Sequence, residues 1–165
     1  MRKPVALIGF SNSGKTSLVV ALVRVFSGRG ERVAYVKHTH HAVGSLEDGG
    51  DSRRALDAGA SVVVVADEEE AIRWKRDGER SGPEPYDDPV ALVASIEVDR
   101  ILVEGWKDLR IWPVVLVERS GQETMRPVAG IVAVVSDFEE TLPVPRYAPG
   151  DIDAIALFVD KIADS

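Results

Sequence analysis

The pattern of apolar and polar positions predicts strands and helices that alternate along the chain. Short apolar runs typical of buried strands occur at residues 5–8, 32–36, 61–66, 100–103, 114–117 and 131–135. Helical spacing of apolar residues marks residues 15–26 and the segment after Asp151, and helix start and stop signals mark residues 51–58 and 88–96. Residues 143–149 are predicted to be irregular. This order predicts an α/β fold, a three-layer domain with a mostly parallel central sheet and helices on both faces.

A charged segment between residues 73 and 89 interrupts this alternation. Asp77-Gly78 is a hairpin turn signal, so we expect a β-hairpin arm that projects from the domain. The arm from Arg73 to Arg80 carries four basic residues and Trp74. Its composition leaves three alternatives open: a solvated hairpin face, a kinase-type lid over phosphates, or a partner-binding arm anchored by Trp74.

Length and composition limit the class of protein. The 165 residues are enough for one domain, 1–165, and the apolar fraction of 45% is that of a globular chain. A net charge of -7 argues against nucleic-acid and anionic-membrane partners. Because the chain has no cysteine and its first apolar stretch is too short for a signal peptide or membrane span, we expect a cytoplasmic protein.

The chemistry begins where the first predicted strand ends. Gly9, four residues, then Gly14, Lys15 and Thr16 form the phosphate-binding loop pattern between a strand and a helix. Glycines allow close approach to a phosphate, backbone N–H groups and the helix N-terminus attract it, Lys15 reaches the β- and γ-phosphates, and Thr16 ligates Mg²⁺. A P-loop NTPase-like domain is therefore predicted, with these nucleotide-binding residues: Gly9, Ser11, Asn12, Ser13, Gly14, Lys15, Thr16 and Ser17.

Two carboxylates are candidates for the metal-orienting and catalytic role that accompanies such a loop. Glu104 follows an apolar run in RILVEGWK, and Asp51 begins the helix after the second strand. Each has a plainer alternative, a strand-end glutamate facing water and a helix cap, respectively. The sequence leaves open which of the two holds the metal with Thr16.

Three histidines follow the second strand in VKHTHH. His38, His40 and His41 are close in sequence, but adjacent His40 and His41 would diverge, which argues against a dedicated zinc site. Open α/β sheets bind ligands at the carboxyl ends of their strands. We therefore expect a polar loop that faces a ligand, with a solvated loop as the alternative.

Together, GFSNSGKTSL, VKHTHH, DSRRALDAGA and ILVEGWK occur in the order found in the molybdopterin-guanine dinucleotide biosynthesis adaptor proteins, the MobB family, which the chain resembles over nearly its whole length. The resemblance implies a GTP-binding protein with weak GTPase activity. It also implies a homodimer built partly by strand exchange or sheet extension. It further implies work beside molybdopterin guanylyltransferase, the enzyme that attaches GMP to molybdopterin, with molybdopterin as another partner.

The resemblance carries over onto this chain residue by residue. It places residues 9–17 in the phosphate loop, the three histidines in the loop after strand two, Asp51 and Ser52 at the next helix start, and Glu104, Gly105 and Lys107 in the second acidic motif. Family members are rich in aspartate just after the double histidine, where this chain has residues 42–46, so Glu47 or Asp48 would have to substitute.

Guanine preference has no clear signal, because the N-K-x-D motif of ordinary GTPases is absent. Asp137, after the strand at 131–135, lies where an acceptor for the guanine N1–H and N2–H would sit. Slow hydrolysis is expected, since no arginine finger or water-positioning glutamine is evident after Glu104. The alternatives are an ATP-dependent small-molecule kinase, a nickel-delivery GTPase of the metallochaperone type, and a structural partner with a vestigial loop.

Overall fold

The computed structural model describes residues 2–43, 50–109, 111–124 and 129–165. Four helices and nine strands occur in these ranges. The helices are α1 (Lys15–Gly28), α2 (Asp51–Asp57), α3 (Pro89–Ala94) and α4 (Ile152–Ala163). The strands are β1 (Val5–Ile8), β2 (Val33–His38), β3 (Val62–Ala66), β4 (Glu70–Lys75), β5 (Arg80–Pro85), β6 (Arg100–Glu104), β7 (Val114–Glu118), β8 (Ile131–Ser136) and β9 (Arg146–Tyr147).

One mostly parallel sheet joins all nine strands in the order β5-β4-β3-β2-β6-β1-β7-β8-β9. Only the β3–β4 and β4–β5 pairs are antiparallel. The carboxyl ends of β1, β2 and β6 therefore meet at one edge, which brings the phosphate loop, the histidine segment and Glu104 into one region. The predicted mostly parallel α/β fold is confirmed.

Helices cover both faces of the sheet, but unequally. On one face, α1, α2 and α4 pack on side chains such as Leu7, Tyr35 and Leu102. On the other face, α3 packs with the segment that contains Trp106 and Trp112. Asp88 caps the N-terminus of α3, where its side chain accepts a hydrogen bond from the Val90 N–H at 2.9 Å. Among the described residues, no helix is both long and apolar enough to cross a membrane.

The predicted hairpin is present, but it does not project from the domain as expected, because its first strand is part of the sheet. β4 pairs with β3 along its length, and Ile72 is fully buried, so β5 alone forms the outer edge. Its basic residues have neighbours: Arg73 donates to the Ser95 hydroxyl at 2.7 Å, and Arg80 lies over the Trp74 ring. These contacts agree with the interpretation of a hairpin face and leave the lid and partner roles untested.

Most helix and strand boundaries fall within a few residues of those predicted, and one element was missed. β9 lies inside the stretch expected to be irregular, residues 143–149, and pairs in parallel with β8. Two residues are too few to show a periodicity of two. The strand forms because the chain that leads into α4 makes backbone hydrogen bonds to the outer edge of β8.

Candidate functional site

The phosphate-loop sequence folds as a tight turn between β1 and α1. A Cβ on Gly9 would lie 2.2 Å from the Val117 carbonyl oxygen, so only glycine lets the loop leave the sheet beside β7. Asn12 and Gly14 have φ angles of 61° and 100°, a left-handed conformation that turns backbone N–H groups inward. The buried Ser13 hydroxyl has no hydrogen-bond partner among the described residues. This geometry suits an anion, which could also supply a partner for the Ser13 hydroxyl.

Lys15 lies across the loop it follows. Its Nζ donates to the carbonyl oxygens of Gly9 at 2.8 Å and Phe10 at 2.7 Å. Burial lowers the pKa of the Lys15 ammonium, although the charges of Glu104 and Asp51 oppose that shift. The cation thus has weak carbonyl partners that a phosphate would replace with stronger, charge-assisted hydrogen bonds.

Thr16, Asp51 and Lys37 form a connected group beside the loop. The Thr16 hydroxyl donates to Asp51 Oδ2 at 3.2 Å, and Lys37 Nζ forms an ion pair with the same oxygen. Burial alone would raise the pKa of Asp51, but the hydrogen bonds from Lys37 and Thr16 and the Lys37 charge lower it. Asp51 is therefore more than the start of α2: it joins the helix to the phosphate loop as a carboxylate.

Glu104 ends β6 on the same face of the sheet. Its side chain is buried, and Oε2 accepts a hydrogen bond from the Tyr35 hydroxyl. Register explains the grouping, because β2 and β6 pair Lys37 with Glu104. Burial and the Glu104 charge raise the pKa of Tyr35 well above its ordinary value, so Tyr35 remains the donor.

These groups fit a magnesium nucleotide. Thr16, Asp51 and Glu104 supply hydroxyl and carboxylate oxygens, the donors that Mg²⁺ prefers. Lys15, the left-handed loop and the unpartnered Ser13 hydroxyl suit a polyphosphate. The plain alternatives for Glu104 and Asp51 do not account for this convergence. The binding roles of Ser11, Asn12 and Ser17 remain predictions.

Asp137 lies at the same edge of the sheet, where β7 and β8 end. Its two carboxylate oxygens accept hydrogen bonds from the backbone N–H of Ser120 at 2.6 Å and the Ser120 hydroxyl at 2.9 Å. These bonds lower the pKa of Asp137. The same loop reaches the phosphate loop, since the Gln122 amide donates to the Ser11 carbonyl at 2.9 Å. The guanine-reading role of Asp137 remains a prediction.

The histidines divide in a way that the sequence did not indicate. Lys37 lies on the face of the sheet that carries Asp51 and Glu104, so the next residue, His38, points to the opposite face. There the His38 ring stacks on Trp106, with ring centroids 5.0 Å apart. His40 packs edge-on against His38, and both approach Glu68. Burial lowers the pKa of His38, although the Glu68 charge opposes the shift. His41 is exposed and outside this group, and the proposed substitutes Glu47 and Asp48 lie outside the described residues.

Sequence reasoning missed four residues at these sites. Tyr35 and Lys37 are two residues apart on β2, so their side chains lie on the same face of the sheet. This periodicity, together with the candidates Asp51 and Glu104, could have identified both residues. Glu68 and Gln122 carry no such signal, because each lies in a loop distant in sequence from the group it contacts.

Comparison with known proteins points to one family. The family model of molybdopterin guanine dinucleotide synthesis protein B, MobB, matches residues 5–137. The chain is 33% identical over 156 residues to a molybdopterin-guanine dinucleotide biosynthesis adapter protein of Haemophilus influenzae, covering 94% of this chain and 81% of that one. It is 32% identical over 161 residues to the adapter protein of Escherichia coli, covering 93% and 89%.

Solved structures share the fold. The crystal structure of Bacillus subtilis MobB superposes with a TM-score of 0.63 at 21% identity, covering 99% of both chains. A MobB homolog from Bacillus stearothermophilus gives a TM-score of 0.61 at 24% identity, covering 96% of this chain and 95% of that one. These matches confirm the resemblance found in the sequence and the fold class.

Proposed function

The chain belongs to the MobB family, and from that premise we propose that it is a GTP-binding, Mg²⁺-dependent adapter in the synthesis of molybdopterin guanine dinucleotide. The adapter role is that of the family. GTP, Mg²⁺ and a second copy of the chain are the further parts of the proposal. A cytoplasmic location, expected from the cysteine-free composition, is part of it too.

One observation carries the nucleotide part: Lys15, Thr16 and Asp51 converge at the end of β1. Lys15 Nζ bonds to carbonyl oxygens within its own loop, and Thr16 bonds to Asp51. A chance glycine turn would not need this arrangement. In the proposal, Lys15 exchanges the carbonyls of Gly9 and Phe10 for phosphate oxygens, and the Ser13 hydroxyl gains a partner.

Residues of this chain divide the remaining work. Thr16 and Asp51 would hold the Mg²⁺ ion, which when bound neutralises charge on the phosphates. Tyr35 engages one oxygen of Glu104 and leaves the other for a water molecule. We infer that hydrolysis is slow and that nucleotide binding serves docking rather than turnover.

The partner of the adapter, in this proposal, is the guanylyltransferase that attaches GMP to molybdopterin. The chain would act as a homodimer. Sheet extension is available at the outer strands β5 and β9. Pro83 and Pro85 remove two N–H donors from β5, which favours strand exchange or β9 for the dimer contact. Sedimentation analysis of the purified chain tests this part.

Calorimetric titration with GTP and with ATP, in Mg²⁺, tests the nucleotide part. Lys15→Ala should abolish measurable GTP binding, because each lost charge-assisted hydrogen bond is worth about 1.5–3 kcal/mol. Lys161→Ala, an exposed lysine on α4, is the matched control. If Lys15→Ala binds GTP as tightly as the parent, the assignment of the nucleotide site to this loop is wrong.

A second assay tests the adapter role. The purified guanylyltransferase is supplied with molybdopterin and GTP, with and without this chain, and the guanine dinucleotide product is measured. We expect more product with the chain present. Fast ATP-dependent phosphorylation of a metabolite in a parallel acceptor screen would favour the kinase alternative instead.

A further inference from the structure

We propose that His38, His40 and Glu68 form a binding site for a divalent first-row transition metal ion, separate from the nucleotide site. His38 ends β2 and Glu68 lies in the turn between β3 and β4, so the two strands' ends bring the ligands together. The site lies on the α3 side of the sheet, behind the face that carries Asp51 and Glu104. It does not depend on nucleotide binding.

The spacing of the ligand atoms suits an ion. His38 Nε2 lies 3.1 Å from Glu68 Oε1, and His40 Nδ1 lies 3.3 Å from the same oxygen. One ligand atom from each of the three residues lies within 4.8 Å of the others. Ligands that share an ion at about 2.1 Å are themselves about 3.0–3.4 Å apart. Small rotations of the two exposed side chains would complete the site.

The buried nitrogen of His38 gives independent support. The His38 side chain is only 7% exposed, and Nε2 has no hydrogen-bond partner among the described residues, although Glu68 Oε1 is within 3.1 Å. Buried polar atoms are almost always paired. With the ring proton on Nδ1, Nε2 presents a lone pair to the Glu68 oxygen, and a cation between the two atoms would satisfy both.

The surrounding residues hold the ligands in place. Asp67 accepts hydrogen bonds from the N–H groups of Val43, Glu69 and Glu70 at 2.8 to 2.9 Å, and so joins the histidine segment to the Glu68 turn. The Thr39 N–H donates to the Ala66 carbonyl at 2.8 Å. These bonds fix both segments, an arrangement that favours binding because little order is lost when the ion arrives.

Trp106 and Gly105 fix the His38 ring. Trp106 stacks on it at an interplanar angle of 22°. A Cβ on Gly105 would lie 2.8 Å from His38 Cβ, so glycine is needed for the close approach. Consecutive residues of ILVEGWK therefore contribute to both faces of the sheet. Glu104 lies on the face that carries Asp51, whereas Gly105 and Trp106 contact His38 on the other face.

The donor set indicates the class of ion. Two imidazoles and one carboxylate suit Zn²⁺, Ni²⁺, Co²⁺ or Fe²⁺, whereas Mg²⁺ prefers oxygen donors alone. His40 and Glu68 are 82% and 70% exposed, so the ion can enter from solvent. Three protein ligands leave coordination positions for water or an exogenous ligand, as in open zinc sites.

Titration of the whole chain, freed of metal by dialysis against a chelator, tests the site. Zn²⁺ is followed by calorimetry and Co²⁺ by its visible absorption, both in excess Mg²⁺ so that the oxygen-rich nucleotide site is not counted. We expect one ion per chain and Co²⁺ bands of a site with nitrogen ligands. His40→Ala and Glu68→Gln should each weaken Zn²⁺ binding by about tenfold or more, the loss reported when even supporting residues are removed.

The exposed side chains make the test independent of folding. His40→Ala and Glu68→Gln alter surface residues, and circular dichroism confirms that the variants fold, whereas His38→Ala also removes a buried ring. His41→Ala, the neighbouring histidine outside the cluster, should bind Zn²⁺ like the parent. The proposal is overturned by absence of saturable Zn²⁺ binding, or by equal binding in His40→Ala, Glu68→Gln and the parent. It also fails if His41→Ala loses as much affinity as His40→Ala.

Discussion

Lys37 and His38 are consecutive residues at the carboxyl end of β2, and their side chains lie on opposite faces of the sheet. Lys37 pairs with Asp51 beside the phosphate loop, while His38 stacks on Trp106 on the α3 side. The motif VKHTHH therefore contributes one of these residues to each of the two proposed sites. This division makes it possible to change one site while leaving the other intact.

Lys37→Met should make GTP binding more dependent on Mg²⁺. The ammonium offsets the Asp51 charge, and without it the carboxylate would repel phosphate unless a metal ion neutralises it. In chelator we expect about tenfold weaker GTP binding, the equivalent of one charge-assisted hydrogen bond. In Mg²⁺ the loss should be smaller. Calorimetry under both conditions measures the ratio.

The control for this comparison is Lys75→Met, which removes a hairpin lysine paired with Glu79. It should leave GTP binding unchanged in both solutions. If Lys37→Met weakened GTP binding equally with and without Mg²⁺, the hypothesis that the Lys37 ammonium neutralises Asp51 when no metal ion is bound would be wrong.

Asp137→Asn should reduce discrimination between GTP and ATP. The amide replaces one acceptor oxygen with a donor, which cannot accept from both guanine N–H groups. We expect the affinity ratio to fall by about tenfold, as for one lost polar pair. Ser120→Ala should preserve or raise the ratio, because it frees Asp137 Oδ2 from the Ser120 hydroxyl. Glu139→Gln, an exposed neighbour, is the control; an unchanged ratio in Asp137→Asn removes the hypothesis.

Much of the fold could be predicted because it is local. The apolar runs of β1, β3 and β6 and the glycines around the phosphate loop are written in short stretches of sequence. The rule that parallel strands end at one edge also brings Glu104 to the phosphate loop, whereas the position of Asp51, at the start of α2, does not follow from it.

The remainder depends on register and on loops. The predicted second strand ended at residue 36, so the sequence did not show that β2 continues to His38 and therefore that Lys37 and His38 face opposite sides of the sheet. Glu68 lies close to His38 and His40 because β3 pairs with β2, and no sequence motif predicts that pairing. β9 exists only because β8 offers an open edge.

Gly105→Ala should destabilise the chain and displace His38. The residue has φ of 100°, and its Cβ would lie 2.8 Å from His38 Cβ. Gly78→Ala is a matched control, since φ is 92° there but no atom lies within 4 Å of the new Cβ. The control should lose about 1–2 kcal/mol from backbone strain alone, and Gly105→Ala should lose more. Equal losses in chemical denaturation would mean that the His38 contact has no energetic weight.

Arg100→Ala should be among the most destabilising single changes. Its side chain is 1% exposed, pairs with Glu31 at 2.9 Å and with Asp160, and lies 3.8 Å from the centroid of the Phe26 ring. Removing it takes one charged partner from each of the half-buried carboxylates of Glu31 and Asp160 and the packing against Phe26, which together should cost about 3 kcal/mol. Arg29→Ala, which also pairs with Asp160 but is 39% exposed, should cost about 1 kcal/mol or less. Unfolding in urea distinguishes the two, and similar losses would contradict a special role for burial.

Asp99→Asn should alter how stability depends on pH. The Arg32 side chain and backbone N–H lower the pKa of Asp99 to about 2 in the folded protein. An unfolded aspartate has a pKa of about 3.9, so the folded state favours the charged form. The stabilisation from Asp99 is therefore complete above about pH 4 and is lost as the pH falls toward about 2. The difference in thermal midpoint between parent and Asp99→Asn should be constant above that window and shrink within it.

High salt should reduce the difference, because the Arg32–Asp99 pair is exposed to solvent. A difference that grows as the pH falls would contradict the sign of this shift.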